Sequence, residues 1–268
     1  MNKKKLNKKS TSSTTTPRPP ANKLMGQHFL TDMSVLAAII AAAGIKKTDT
    51  VIEIGPGTGV LTEALLEKTS HVIAIEKDPR LVKYLEENLS APITLIEGDV
   101  LKEADREKAI KLTKGLYKIV ANIPYYLTGK VFEHFLETTK TPPTSMTLLV
   151  QHEVATRIMG SLRAKGKGNI ASIAVRAYGV PHIIKKVLPG AFHNPPKVNS
   201  AILHINNISK DFFVSRNILE KDFFALVRKG FGSKRKKLRN TLGDIVEGNP
   251  LAEKRPEDLS PEDWATLL

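Results

Sequence analysis

Between residues 50 and 151 the chain repeats one unit: a short apolar run, a break, then an apolar stripe at helical spacing. The runs are Thr50–Ile54, His71–Glu76, Ile93–Glu97, Tyr117–Ala121 and Met146–Gln151. Helical patterns lie between them at Val60–Glu67, Pro79–Leu89, Arg106–Leu112 and Gly129–Thr138. Strands joined through helices pair parallel, and a parallel sheet needs cover on both faces. The repetition therefore predicts an α/β fold: a Rossmann-like sheet with helices on both sides. Two later runs, Ile183–Leu188 and Ser200–Ile205, are joined by a Pro-rich loop and read as antiparallel strands at the sheet edge.

The flanks differ from this centre. Residues 1–22 are Lys-rich, then Ser/Thr-rich, and end in Arg18-Pro19-Pro20. Such a stretch buries too little apolar surface to fold alone and is expected to be a disordered basic tail. From Asp32 to Gly44 apolar residues recur at helical spacing, with Asp32 as the cap and Gly44 as the stop. After Asn206 the pattern turns helical at Glu220–Lys229, at Lys234–Leu242 and after Ser260-Pro261. The expected division is a catalytic domain over 23–206 and a small helical domain over 207–268.

Composition narrows the partners. The net charge is +14, and two stretches hold basic residues with no acid: Asn2 to Lys23, and the block of Arg228, Lys229, Lys234, Arg235, Lys236, Lys237 and Arg239. Acid-free basic runs of this kind point to nucleic acid before a membrane surface. The chain has no cysteine, which excludes disulfides and thiolate metal sites and fits a reducing cytoplasm. Its seven His show no metal-ligand spacing, so no metal is expected. No apolar segment is long enough to cross a bilayer, and the basic N-terminus lacks the apolar core of a secretion signal.

Open α/β sheets hold ligands at the carboxyl ends of their strands. Here those ends carry an ordered set of polar groups. The first strand runs through Glu53 into the turn Gly55-Pro56-Gly57-Thr58-Gly59, where glycines let a ligand approach the backbone. A dinucleotide fingerprint would place its third glycine one residue later, and an acid inside the strand suits a cationic ligand better than pyrophosphate. Glu76, about twenty residues on, is placed to hold ribose hydroxyls. Asp99 ends the third strand, where a carboxylate accepts from an adenine amine. Asn122-Ile123-Pro124-Tyr125 ends the fourth. Asn offers a neutral acceptor, Pro124 removes a donor and stiffens the turn, and Tyr offers a stacking face. Alone, each of these residues is equally a cap, a turn or a surface acid. Together they describe a pocket for S-adenosyl-L-methionine beside a site for an aromatic amine such as adenine N6.

Read in order, Gly26-Gln27-His28-Phe29-Leu30, the Glu53–Gly59 loop, Glu76, Asp99 and Asn122–Tyr125 resemble the motifs of the rRNA adenine N6-dimethyltransferases, above all their bacterial small-subunit branch. Gln151–Arg157, Phe192–Ala201 and the basic stretch Val227–Leu242 extend the likeness, which covers about residues 23 to 242. The resemblance implies that Gln27, His28 and Leu30 line the cofactor pocket, that Gly55 contacts the methionine part, Glu76 the ribose and Asp99 the adenine. It implies that Asn122 touches both cofactor and target, and that Tyr125 and Phe192 sandwich the target base. The implied activity is dimethylation of two adjacent adenosines in a hairpin loop near the 3′ end of 16S rRNA, within the small ribosomal subunit, by a monomer. Departures from the family pattern are His28, where Asn is common, Asn194, where Pro is usual, the stretch Lys167–Ile170, and the Lys/Ser/Thr tail. Other readings are a large-subunit rRNA methyltransferase of the antibiotic-resistance type, a DNA adenine methyltransferase, and a ribosome-assembly or transcription factor that keeps the fold without the chemistry. The C-terminal basic stretch weighs against the first two, and the intact Glu76, Asp99 and Asn122–Tyr125 set against the last.

Overall fold

The computed structural model describes residues 17–160, 168–233 and 235–268. Residues 1–16 of the basic tail, Lys167 and Lys234 fall outside them. The parallel strands are β1 (Thr50–Ile54), β2 (Val72–Glu76), β3 (Thr94–Glu97), β4 (Tyr117–Asn122) and β5 (Ser145–Gln151). They pair in the order β3-β2-β1-β4-β5, with neighbours parallel throughout. Successive strand residues alternate between two cores, as a pleated strand requires. Val51, Val120 and Leu149 face one core with α1 (Met33–Ala43) and α2 (Val60–Leu66). Ile52, Ile119 and Leu148 face the other, which also takes residues of α4 (Glu103–Leu112) and of the helices that follow it. Between them along the chain, α3 (Pro79–Asn88) starts at Asp78, whose carboxylate accepts from Arg80 N.

The last two strands are β6 (Val180–Val187) and β7 (Ser200–Asn206), and they are antiparallel as expected. The later strand, however, is the inner one: β7 pairs with β5, and β6 forms the edge. Pro181 lies on that edge strand, where a missing ladder donor is tolerated. The strand begins three residues before the apolar run at Ile183, because the edge needs little burial to stay paired.

Local signals account for most helix ends. Asp32 accepts from Ser34 N at 2.8 Å, and Gly44 closes α1 at φ 53°. The helix expected from Arg106 starts at Glu103, since Glu103 and Asp105 in the first turn favour the positive end of its dipole. The pattern over Gly129–Thr138 resolves into α5 (Thr128–Phe132) and a π-helical turn, Glu133–Glu137. α6 (His152–Met159) directly follows β5, and α7 (Ile170–Tyr178) is closed at its start by a reciprocal Asn169–Ser172 cap.

Beyond β7 come α8 (Asp211–Val214), α9 (Glu220–Phe231), α10 (Arg239–Leu242) and α11 (Pro261–Ala265). Their apolar residues share the core of α7: Tyr178 meets Phe213 at 5.1 Å, and Phe213 meets Phe223 at 5.4 Å. Trp264 is fully buried and stacks on Phe231. The helix expected over Lys234–Leu242 is shortened to α10. The preceding residues have no apolar face to bury apart from Leu238, and an isolated basic turn does not nucleate a helix. Leu238 is instead pinned by its N–H to Lys254 O at 2.9 Å. No described helix is long and apolar enough to cross a membrane.

Candidate active site

The carboxyl ends of β1 to β4 open onto one cavity of about 110 Å³. Gln27, His28, Leu30, Glu53, Gly55, Gly57, Glu76, Asp99, Asn122, Pro124 and Tyr125 all line it, so the structure brings together every expected pocket residue except Phe192. The turn after β1 holds Gly55 and Gly57 at φ 66° and 62°, a left-handed backbone that other residues resist. A Cβ on Gly57 would also press on the Phe29 ring at 3.3 Å.

Three acids stand around this turn. Glu76 is buried and accepts from Gly57 N at 3.1 Å and from Asp78 N at 2.9 Å. Burial raises its carboxyl above the usual range, against the pull of those N–H groups. Glu53 is 1% exposed, and among the described residues its hydrogen-bond partner is the Thr62 hydroxyl at 2.7 Å. Burial, only partly offset by Thr62 and reinforced by the nearby charge of Glu76, pushes its carboxyl up to about 8. At Asp99 burial is outweighed by Lys77, 2.8 Å away, and by Leu101 N–H, so this carboxyl lies below its ordinary value.

At the end of β4 the Asn122 amide donates through Nδ2 to the backbone carbonyl of His28 at 2.9 Å. A carbonyl only accepts, so the amide nitrogen faces it, and Oδ1 remains as the acceptor end of a residue that lines the cavity. Tyr125 follows after Pro124. Its hydroxyl is held 2.6 Å from Ser200 Oγ on β7, and burial raises the phenol above its usual value. Its ring stacks on the His28 imidazole, with centroids 5.6 Å apart.

Phe192 is buried behind this pair and does not line the cavity. It bridges Leu30 in the backbone and meets the edge of the His28 ring at 6.2 Å. His28 thus touches both of the residues expected to sandwich a base. Residues 17–22, expected to belong to the tail, also reach the site. Arg18 lies over the Phe29 ring, and Asn22 N donates to Gln27 Oε1 at 2.7 Å. Gln27 in turn donates to Asp78 at 3.1 Å.

Sequence reasoning missed Lys77 and Tyr126. Both line the cavity, and Tyr126 is exposed at its rim. Each directly follows a residue that was picked out, so position beside a strand end was the available signal.

The basic block divides in two. Arg228 pairs with Glu137 and lies over the Phe224 ring, while Lys237 and Arg239 share Glu253. Lys229, Arg235 and Lys236 are exposed, with no acidic partner among the described residues. Burial pushes the Glu137 carboxyl up to about 7 despite Arg228.

A Rossmann-like sheet whose strand ends carry acceptors and an aromatic wall around one cavity is the architecture of a methyltransferase. Over residues 20–257 the chain matches the ribosomal RNA adenine dimethylase family, and it belongs to that family. It is 41% identical over 261 residues to ribosomal RNA small subunit methyltransferase A of Dehalococcoides mccartyi, a match covering 92% of this chain and 87% of that protein. The protein of that name from Clostridium botulinum is 41% identical over 226 residues, covering 84% and 80%. Among solved structures, a dimethyladenosine transferase from Plasmodium falciparum superposes with a TM-score of 0.70 at 25% identity, covering 90% of this chain and 96% of that one. The 23S rRNA methyltransferase ErmE shares the fold, with a TM-score of 0.64 at 24% identity over 89% and 97% of the two chains.

Proposed function

We propose that this methyltransferase uses S-adenosyl-L-methionine to dimethylate the N6 amines of two adjacent adenosines in a hairpin loop near the 3′ end of 16S rRNA, in the small ribosomal subunit. We further read it as a cytoplasmic monomer that acts during subunit biogenesis. The observation that carries the reading is Asn122 in the cavity lining beside Tyr125: its nitrogen is committed to His28 O, which leaves a neutral oxygen as its acceptor end.

The cavity suits this cofactor. Its polar lining includes the carboxyl groups of Glu76 and Asp99, acceptors that suit a ligand bearing hydroxyls and an amine and disfavour pyrophosphate. Glu76 would hold the ribose, Asp99 the adenine, and Gly55 and Gly57 the methionine part, with Gln27, His28 and Leu30 closing the near side. Bound there, the cofactor supplies a methyl group on a sulfonium centre.

The remaining work falls to the chain. The lone pair of an adenine amine is delocalised into the ring. Asn122 Oδ1, with the Ile123 carbonyl beside it, accepts hydrogen bonds from that amine and draws electron density back onto nitrogen, by position and electrostatics rather than by taking a proton. A neutral amide holds the amine without an ion pair, so the monomethylated amine is free to turn for a second transfer. The target base has to leave its stack. Stacking on Tyr125 repays part of that, at roughly 1–3 kcal/mol per base. Ser200 fixes the phenol so that the ring is presented without loss of rotamer freedom. Lys229, Arg235 and Lys236 supply phosphate contacts that do not depend on sequence.

Labelled-cofactor transfer to isolated small subunits, large subunits and DNA tests the reading. Transfer confined to small subunits, and mapped to adjacent adenosines, is expected. Tight subunit binding with no transfer to any substrate would favour an assembly factor instead.

A further inference from the structure

The Asn122 amide nitrogen is held by the His28 carbonyl, which leaves the oxygen as the acceptor end of a residue that lines the cavity. His28 belongs to a stretch, Gly26–Phe29, that lies in no helix or strand. A catalytic amide is therefore aimed by a backbone group that regular secondary structure does not fix.

What fixes it is Asn194, from the loop between β6 and β7. Asn194 Oδ1 accepts from Phe29 N at 3.0 Å. Asn194 Nδ2 donates to Gln27 O, and Asn194 O accepts from His28 Nδ1 at 2.7 Å. His193 N adds a bond to Phe29 O at 2.9 Å. One residue thus grips the chain before His28, after His28 and at its ring. A carbonyl cannot donate, so the proton lies on Nδ1, and the imidazole is set against Tyr125 in one orientation.

We propose that Asn194 is a positioning residue for methyl transfer: its clamp on Gln27–Phe29 sets the His28 carbonyl, which turns the Asn122 oxygen toward the target amine. The inference rests on the methyl-transfer reading of the cavity. It assigns no contact with substrate or cofactor to Asn194, which does not line the cavity. Without the clamp the His28 carbonyl drifts, and the Asn122 amide can rotate to present its donor face. Two neutral side-chain bonds are removed in Asn194→Ala, so the single-turnover rate at saturating cofactor and RNA falls about tenfold, a change equivalent to about 1.4 kcal/mol. Cofactor dissociation, measured by calorimetry, shifts by less than the rate does, since Glu76 and Asp99 stand on other elements and Gln27 and His28 close only the near side of the pocket.

The deciding experiment is a double-mutant cycle with Asn122→Ala. If Asn194 acts through Asn122, adding Asn194→Ala to the Asn122→Ala enzyme lowers its residual rate no further. General loosening of the site would lower the rate by the same factor in both backgrounds, and that result, or an unchanged rate in the single variant, overturns the proposal. A cofactor affinity that falls as much as the rate also overturns it. If Asn194→Ala does not fold, the isosteric Asn194→Asp carries the same cycle. It keeps the acceptor for Phe29 N and loses the donor to Gln27 O, and the same non-additivity is expected. Transfer by the unsubstituted chain is the control: its absence defeats the methyl-transfer reading itself, whereas normal transfer with additive losses defeats only the role of Asn194.

Discussion

Glu53 makes stability depend on pH in a direction opposite to that of most carboxylates. It is 1% exposed, hydrogen-bonded to Thr62 Oγ1, and raised from an ordinary 4.5 to about 8. Between those values the folded chain keeps a proton that the unfolded chain releases. Its contribution to stability is therefore complete below 4.5 and is lost as pH rises through about 8. The limiting slope is about 1.4 kcal/mol per pH unit, so moving from about pH 5.5 to about pH 7.5 should lower stability by roughly 2–3 kcal/mol through this group.

Glu53→Gln mimics the protonated side chain in size and in its ability to accept from Thr62, and it cannot ionise. The variant should match the original chain near pH 5 and exceed it increasingly as pH rises. Urea unfolding across this range, without cofactor, gives the difference between the two stability curves. That difference also cancels most of what Glu137 and Glu76 contribute. Parallel curves, displaced or not, would show that Glu53 titrates normally, and burial without a cationic partner could not then be the source of its shift.

Asn122→Ala should reduce methyl transfer by roughly 10²-fold or more while cofactor binding weakens much less, the pattern of a lost transition-state acceptor; equal losses in a titration and a transfer assay would remove that role. Gly230→Ala should destabilise by about 1–3 kcal/mol in thermal or urea melts, despite the better helix propensity of Ala. The new Cβ would stand 2.3 Å from the Trp264 ring, which is fully buried and has no room to retreat. Neutralising Arg235 or Lys236 should reduce the salt slope of RNA binding by about one unit each. Lys237 and Arg239 are already engaged by Glu253, so neutralising either should change the slope less.

The parallel sheet was legible because β1, β2, β4 and β5 are buried on both faces and read as continuous apolar runs, and only the edge strand β3 is partly exposed. Thr50–Ile54 matches the observed β1 residue for residue. Once strands are known to alternate with helices, all their carboxyl ends must meet at one edge. That is why Glu53, Glu76, Asp99 and Asn122 could be grouped, though nearly seventy positions separate the first from the last. Handedness and topology did that work, not the chemistry of any one residue. The edge strand, the Glu103 start of α4 and the collapse of the Lys234–Leu242 helix were less visible. There the outcome turns on a partner or a buried face supplied from elsewhere in the chain.

The same limit applies inside the site, at the level of atoms. Residue types at strand ends say that an amide stands near the target, but not which end of the amide faces it. That is decided by the His28 carbonyl, 94 positions away, and by Asn194, 166 positions from the His28 ring that it holds. Phe192 illustrates the converse. Its place in the chain suggested a stacking face, and the structure adds what the chain order does not show: a β-bridge to Leu30 and an edge contact with the His28 ring that stacks on Tyr125. In the basic block, counting charges overstated the free cations, because Glu137 and Glu253 come from segments read separately. Local pattern is thus sufficient where topology forces residues together, and insufficient where one hydrogen bond between distant segments chooses among orientations of similar energy. Asn122 sits at the meeting point of both cases: its position follows from the sheet, and its usefulness as an acceptor follows from a clamp that the sheet does not specify.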